Sequence, residues 1–202
     1  MIKTVFFDLG NVLVFFSYPR MFQQMAACTG LSEEAVRKIL IEEQIQVYYE
    51  SGQIDSAHFH QIFQSRSPKT FALHPFLDAV SDIFTPNSGL YPIVEQLKAQ
   101  GIRLVLLSNT SACHYARVSA HYPVLQLFDD RVLSYEVGAL KPSETIFRKA
   151  LSKAECDPKH CFYTDDIPEF VQGARKVGLD SELFTGVLAL KSALALRGLT
   201  VE

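Results

Sequence analysis

The chain has no basic block, no CxxC pair, no internal repeat, no low-complexity tract and no long apolar run. Each absence closes off a class of protein. Without clustered Lys and Arg, and with a net charge of −3 over 202 residues, there is no electrostatic footprint for a nucleic-acid backbone. Any recognition of phosphate is therefore confined to one pocket. No uninterrupted apolar stretch approaches the ~18 residues of a spanning helix, which argues against a membrane partner. The N-terminus, MIKTVFFDLGNVLVFF, is apolar but is broken by Asp8, Gly10 and Asn11 and has no small-residue cleavage site. It reads as a buried strand and not as a signal peptide. Cys28, Cys113, Cys156 and Cys161 have neither metal-site spacing nor disulfide-rich density, and are expected to be reduced thiols of a cytoplasmic protein. No heptad seam or other feature speaks to the oligomeric state.

What remains is an ordinary globular composition, 48% hydrophobic and 20% charged. Short β-branched or aromatic runs stand at Lys3–Phe7, Ile102–Leu107, Arg131–Ser134 and Cys161–Thr164, with a weaker one at Ser181–Phe184. Helical patterns lie between them, at Tyr91–Gln100, His114–Ala120, Pro142–Lys153 and Pro168–Val177, with Gly101 and Gly178 as stop signals. Strand alternating with helix predicts an α/β fold with a doubly wound parallel sheet. Residues 15–87 interrupt that rhythm with amphipathic stretches at Pro19–Cys28, Glu33–Tyr49, Ala57–Gln64 and His74–Phe84, and no convincing strand. Ser32 is expected to cap one of these helices and Asp55 or Ser56 another. A bare loop of this length is implausible inside a compact domain, so the block reads as an inserted α-helical cap. The core is then discontinuous, residues 1–14 and 88–202.

Ligands of an open parallel sheet bind beyond the carboxyl ends of its strands. The residues expected there are Asp8, Ser108 with Asn109, Lys141, and Asp165 with Asp166. Singly, each has a plain structural explanation: a turn before Gly, a helix cap, a solvated residue at a helix entry. Together they place three carboxylates, an ammonium and a hydroxyl at one sheet edge. Carboxylates so gathered repel one another unless a cation joins them.

These segments resemble the four motifs of the haloacid dehalogenase superfamily: FFDLGNVL the first, LVLLSNT the second, Lys141–Pro142 the third, and FYTDD followed by PEFVQGARKVG the fourth. They occur in the family's order and cover nearly the whole chain. DLGN, YYESGQI, LSNT and GALKP look closest to its sugar-phosphate phosphatases, including a glucose-1-phosphate phosphatase branch. The resemblance implies a Rossmann-like core with a helical cap, and a Mg²⁺-dependent phosphatase acting on a small phosphate ester. Asp8 is then the nucleophile that becomes an aspartyl phosphate. Asp8, the Gly10 carbonyl and Asp166 would hold Mg²⁺, with Asp165 on a coordinated water or orienting the shell. Ser108 and the backbone of Leu9, Gly10, Asn11 and Asn109 would bind the phosphoryl group, and Lys141 would neutralise charge on it and on Asp8. Arg20 is expected to clamp a second anionic group, and His114 to reach the pocket mouth.

The sequence departs from the family at one position. Most of its phosphatases carry a second Asp two residues after the nucleophile, a general acid/base worth about 10²–10⁴-fold; here that residue is Gly10. One reading is a phosphatase for esters whose leaving group needs little protonation, such as anomeric sugar or acyl phosphates. On that reading Asp installed at position 10 helps poor leaving groups most. A second is a metal-free 2-haloacid dehalogenase. A third is a non-catalytic metabolite- or phosphate-binding or interaction module on the same scaffold.

Overall fold

In the computed structural model, which describes residues 1–202, five parallel strands form one sheet in the order β5-β4-β1-β6-β7. They are β1 (Thr4–Phe7), β4 (Arg103–Ser108), β5 (Asp130–Leu133), β6 (Cys161–Asp165) and β7 (Asp180–Leu183). Buried parallel strands are apolar on both faces, and here alternate residues serve two separate cores. Val5, Phe7, Leu104, Leu106 and Phe162 point to one. Phe6, Val105, Leu107, Cys161 and Tyr163 point to the other. Helices α6 (Tyr91–Ala99), α7 (Ala112–His121) and α11 (Val187–Ala195) cover the first face through residues such as Ile93, Val118 and Leu194. The short α8 (Ser134–Val137) follows β5, and helices α9 (Glu144–Ser152) and α10 (Pro168–Lys176) cover the second face through Phe147 and Ala174. The expected doubly wound α/β sheet is present, with helices on both faces. α11 carried no expectation from the sequence.

The predicted strand-free block begins and ends in strands. β2 (Val14–Phe16) and β3 (Phe84–Pro86) pair antiparallel and form a narrow neck. Between them lie α1 (Tyr18–Thr29), α2 (Glu33–Arg37), α3 (Ile45–Glu50), α4 (Ser56–Gln64) and α5 (Leu73–Ser81). This module has its own core, in which Phe59 stacks on Tyr49 at 4.4 Å and packs against Phe63 and Phe76. Ser32 caps α2, accepting from the Ala35 N–H at 3.1 Å, and Asp55 caps α4 through the His58 N–H at 2.8 Å. The long helix expected over Glu33–Tyr49 is broken. A π-turn over Lys38–Glu42 follows α2, and Gln44 then turns with φ 58°. Val36, Ile39 and Leu40 are buried at the i, i+3, i+4 spacing across this turn. The turn at Gln44 re-aims α3, so that Tyr49 enters the module core while Gln46 and Glu50 face the sheet edge.

A candidate active site at the sheet edge

β1 is the central strand, and its register sets the site. Phe7 lies level with Leu106 on one side and Thr164 on the other. Asp8 therefore leaves the sheet one residue before Ser108 does on β4 and level with Asp165 on β6. Asp8, Asp165 and Asp166 each bring a carboxylate oxygen within 4.8 Å of the others. The Lys141 ammonium sits among them with no exposed surface, donating to Asp8 Oδ1 at 2.7 Å, Asp165 Oδ2 at 2.6 Å and the Leu107 carbonyl at 3.2 Å. The Tyr163 hydroxyl, at 3.2 Å, is a fourth acceptor for the three N–H groups of Lys141. Tyr163 completes the arrangement by donating its hydroxyl to Asp165.

The backbone around Lys141 is clamped by one side chain. Asn109 Nδ2 donates to the Lys141 carbonyl at 3.1 Å, and the Lys141 N–H donates to Asn109 Oδ1 at 2.8 Å. Asn11, at φ 55°, turns the chain three residues after Asp8 and donates to Asp166 Oδ2 at 3.0 Å. Asn is among the few non-glycine residues that adopt this left-handed conformation readily. The two asparagines thus hold the lysine and the outer aspartate.

Burial dominates the electrostatics. It pushes the Asp8 carboxyl up to about 7, with the Lys141 charge opposing and the Asp165 charge adding. Burial also raises Asp166 against the hydrogen bond from Asn11. For Lys141 burial works against the charge, but Asp8 and Asp165 outweigh it and hold the ammonium above its ordinary value. Three converging carboxylates against one ammonium leave uncompensated negative charge, and every donor is a hard oxygen. That set fits a hard divalent cation.

A cavity of about 250 Å³ opens over these groups. Its floor includes Asp8, Gly10, Ser108, Asn109, Lys141 and Asp166; its roof comes from the helical module, with Tyr18, Gln46 and Glu50. A larger depression of about 470 Å³ runs along the edge strand β5. Its acids, Asp129, Asp130 and Glu136, are each paired with a Lys or Arg, so it offers no comparable chemistry.

Of the two outlying residues expected at the pocket, Arg20 sits elsewhere, while His114 is among the residues that line the cavity. Arg20 does not line the cavity; it pairs with Asp82 at the surface, beside Arg117. His114 is buried where α7 meets α5, its Nε2 3.2 Å from the Val80 carbonyl and its ring against Phe84. Burial lowers its pKa to about 4, against the hydrogen bond to Val80. Between that value and about 6.5 the unfolded chain binds a proton that the native chain excludes, so stability rises with pH across the window. Acidification from pH 7 to pH 4 is expected to cost about 3 kcal/mol through this residue. The difference in urea stability between wild type and His114→Gln, followed with pH, reads it; a pH-independent difference would contradict the assignment.

Gly10 has a structural partner. A Cβ at this position would lie 2.9 Å from Phe16 Cε1, and Phe16 packs edge-on against Tyr18 at 5.2 Å and Phe84 at 6.5 Å. The space a second Asp would need is occupied by the neck. Gly10→Asp alone is accordingly expected to destabilise by about 1–3 kcal/mol through overpacking and to give no gain in turnover. Adding Phe16→Leu should recover part of the loss in Tm. An unchanged Tm in the single variant would show that the ring yields freely.

A family model for haloacid dehalogenase-like hydrolases matches residues 2–178. The glyceraldehyde 3-phosphate phosphatase of Methanothermobacter thermautotrophicus is 26% identical over 93% of this chain and 88% of its own length. Among solved structures, a HAD family enzyme of Bacteroides thetaiotaomicron superposes with TM-score 0.80 at 24% identity, over 90% of this chain and 93% of that one. The Bacteroides enzyme has also been solved with magnesium and inorganic phosphate. A HAD-like hydrolase of Porphyromonas gingivalis gives the same TM-score, 0.80, at 22% identity, covering 96% of this chain and 98% of the other. With its motifs and fold matching over most of their length, the chain belongs to the haloacid dehalogenase-like hydrolases, among relatives that are phosphatases.

Proposed function

We propose that the protein is a Mg²⁺-dependent phosphomonoesterase that forms an aspartyl phosphate on Asp8 and acts on a small, hydroxylated phosphate ester such as a sugar phosphate. The observation that carries this reading is the buried Lys141 ammonium bridging two of three converging carboxylates beneath a cavity. A metal-free attack on carbon has no use for that third carboxylate, and an intact charge network argues against a decayed scaffold.

Asp8 attacks phosphorus and the ester P–O bond breaks, which divides one difficult hydrolysis into two easier ones. Ser108 and the backbone N–H groups beside Asp8 and Asn109 hold the non-bridging oxygens, while Lys141 offsets the negative charge of the nucleophile. Asp8, Asp166 and the Gly10 carbonyl would hold Mg²⁺, with Asp165 orienting the shell. The bound metal supplies charge neutralisation at the phosphoryl oxygens. The rest is positioning, the larger part of the work in phosphoryl transfer.

The size and lining of the cavity support the substrate class. A volume of about 250 Å³ under Tyr18, Gln46 and Glu50 suits a triose- to hexose-sized group with hydroxyls. Phosphate release from a panel of triose, hexose and prenyl phosphates tests this. The hydroxylated esters are expected to lead in kcat/KM by about 10-fold or more; preference for a prenyl phosphate would contradict it.

A further inference from the structure

Gly10 leaves the site without an acid beside the nucleophile, so the remaining proton donors of the cavity bear on the reaction. Lys141 is engaged with Asp8, Asp165 and Leu107, and His114 is neutral and turned to Val80. Asp166 faces Asn11 and belongs to the carboxylate cluster. The remaining carboxyl group is Glu50, across the cavity on α3. Its Oε1 accepts from Gln46 Nε2 at 2.7 Å, and its other oxygen has no protein partner. Burial raises its pKa against that hydrogen bond, which favours the protonated form.

Glu50 is also tied to the core by contacts that have no evident role within the helical module itself. Ser134 Oγ donates to the Glu50 carbonyl at 2.6 Å, and the same oxygen accepts from the Thr110 N–H at 2.9 Å, two residues past Ser108. Two residues after Glu50, Gly52 adopts φ +70° and approaches so closely that a Cβ there would lie 2.3 Å from the Tyr135 carbonyl oxygen. The strand-end segments of β4 and β5 thereby set the height of Glu50 over the floor. Beside it, Gln46 Nε2 also donates to the Tyr18 hydroxyl at 2.8 Å, while Gln46 Oε1 is buried without a partner. Either orientation of that amide leaves one polar atom unpaired. An orphaned polar atom is costly unless a ligand group meets it.

We propose that Glu50 is the general acid and base of this enzyme, supplied by the helical module in place of the missing Asp at position 10, and that Gln46 binds a hydroxyl of the leaving group. The inference rests on the phosphatase reading. In the first step Asp8 bonds to phosphorus, the ester P–O bond breaks, and the leaving oxygen takes the Glu50 proton to depart as an alcohol. In the second, water attacks the aspartyl phosphate and its proton passes to the Glu50 carboxylate. The bond between phosphorus and Asp8 breaks, and inorganic phosphate, Asp8 and protonated Glu50 are regenerated.

The test is the dependence of kcat/KM on leaving-group basicity for wild type and Glu50→Gln, which keeps the acceptor for Gln46. With alkyl phosphates, whose alkoxide needs a proton, the variant is expected to lose about 10²–10⁴-fold. With p-nitrophenyl phosphate, whose phenolate leaves unaided, the loss should stay under about 10-fold, and Tm should change little. Gln46→Leu should raise KM by a larger factor for hydroxylated esters than for p-nitrophenyl phosphate. Equal losses of Glu50→Gln on both ester classes, or no loss on either, would overturn the assignment while leaving the phosphatase reading intact. No wild-type turnover on any ester would overturn both.

Discussion

Replacing Lys141 by Met is expected to remove activity and to destabilise the protein by about 3–5 kcal/mol at pH 8, the range for breaking a buried ion pair by removing one partner. The side chain has no exposed surface and lies 2.7 and 2.6 Å from two carboxylates that are themselves nearly or wholly buried. Methionine keeps the volume and discards the charge, leaving a cluster of acids with no cation among protein groups. The cost should shrink towards pH 5, because Asp8, already raised to about 7, then takes up a proton and the repulsion falls. Urea denaturation of both proteins at the two pH values measures it. A loss below about 1 kcal/mol, equal at both, would mean that the lysine is not the charge that holds the cluster together.

Asp8→Asn should act in opposite directions on activity and stability. With Asp8 as the proposed nucleophile, its loss is expected to lower kcat by a factor on the order of 10⁴–10⁶. On folding, the Asp8 carboxyl rises from 3.8 to about 7, chiefly through burial. Between these values the native chain retains a proton that the unfolded chain has released. Stability therefore falls as pH rises through the window, and the cost is complete above about 7. Asparagine carries no such cost, and Asp165 remains to pair with Lys141. The variant is expected to be about 1–2 kcal/mol more stable at pH 8, a rise in Tm of about 2–8 °C. A destabilised Asp8→Asn would show that the Asp8 carboxylate contributes net to folding.

Much of the sheet and the floor of the site could be read from local patterns. Runs such as TVFF and RLVLLS are too short for helices and apolar on both faces, and each ends at a polar residue that projects past the sheet. Asp8, Ser108 and Asp165 share that grammar, which brings them to one edge; Lys141 lies eight residues past β5 and is brought to them by a loop that Asn109 holds. The roof was not legible in the same way. Gln46 and Glu50 face the cavity only because a π-turn and a left-handed Gln44 break what the periodicity presents as one helix, and no Gly or Pro marks the break. β2 and β3, three residues each, are held by pairing across some seventy residues, which no local window contains. Tyr163 did leave a signal, a hydroxyl two residues before Asp165 on a buried strand and hence on its face. Arg20 shows the opposite case, because its proximity in sequence to the first motif said nothing of Asp82, which lies sixty-two residues away and claims it.

The central claim, Mg²⁺-dependent phosphoryl transfer to Asp8, is tested most directly by phosphate release from p-nitrophenyl phosphate with Mg²⁺ and with EDTA, for wild type and Asp8→Asn. The account predicts turnover only by wild type with Mg²⁺, abolished by EDTA and restored by added Mg²⁺. Turnover that survives EDTA, or that persists in Asp8→Asn, would contradict it.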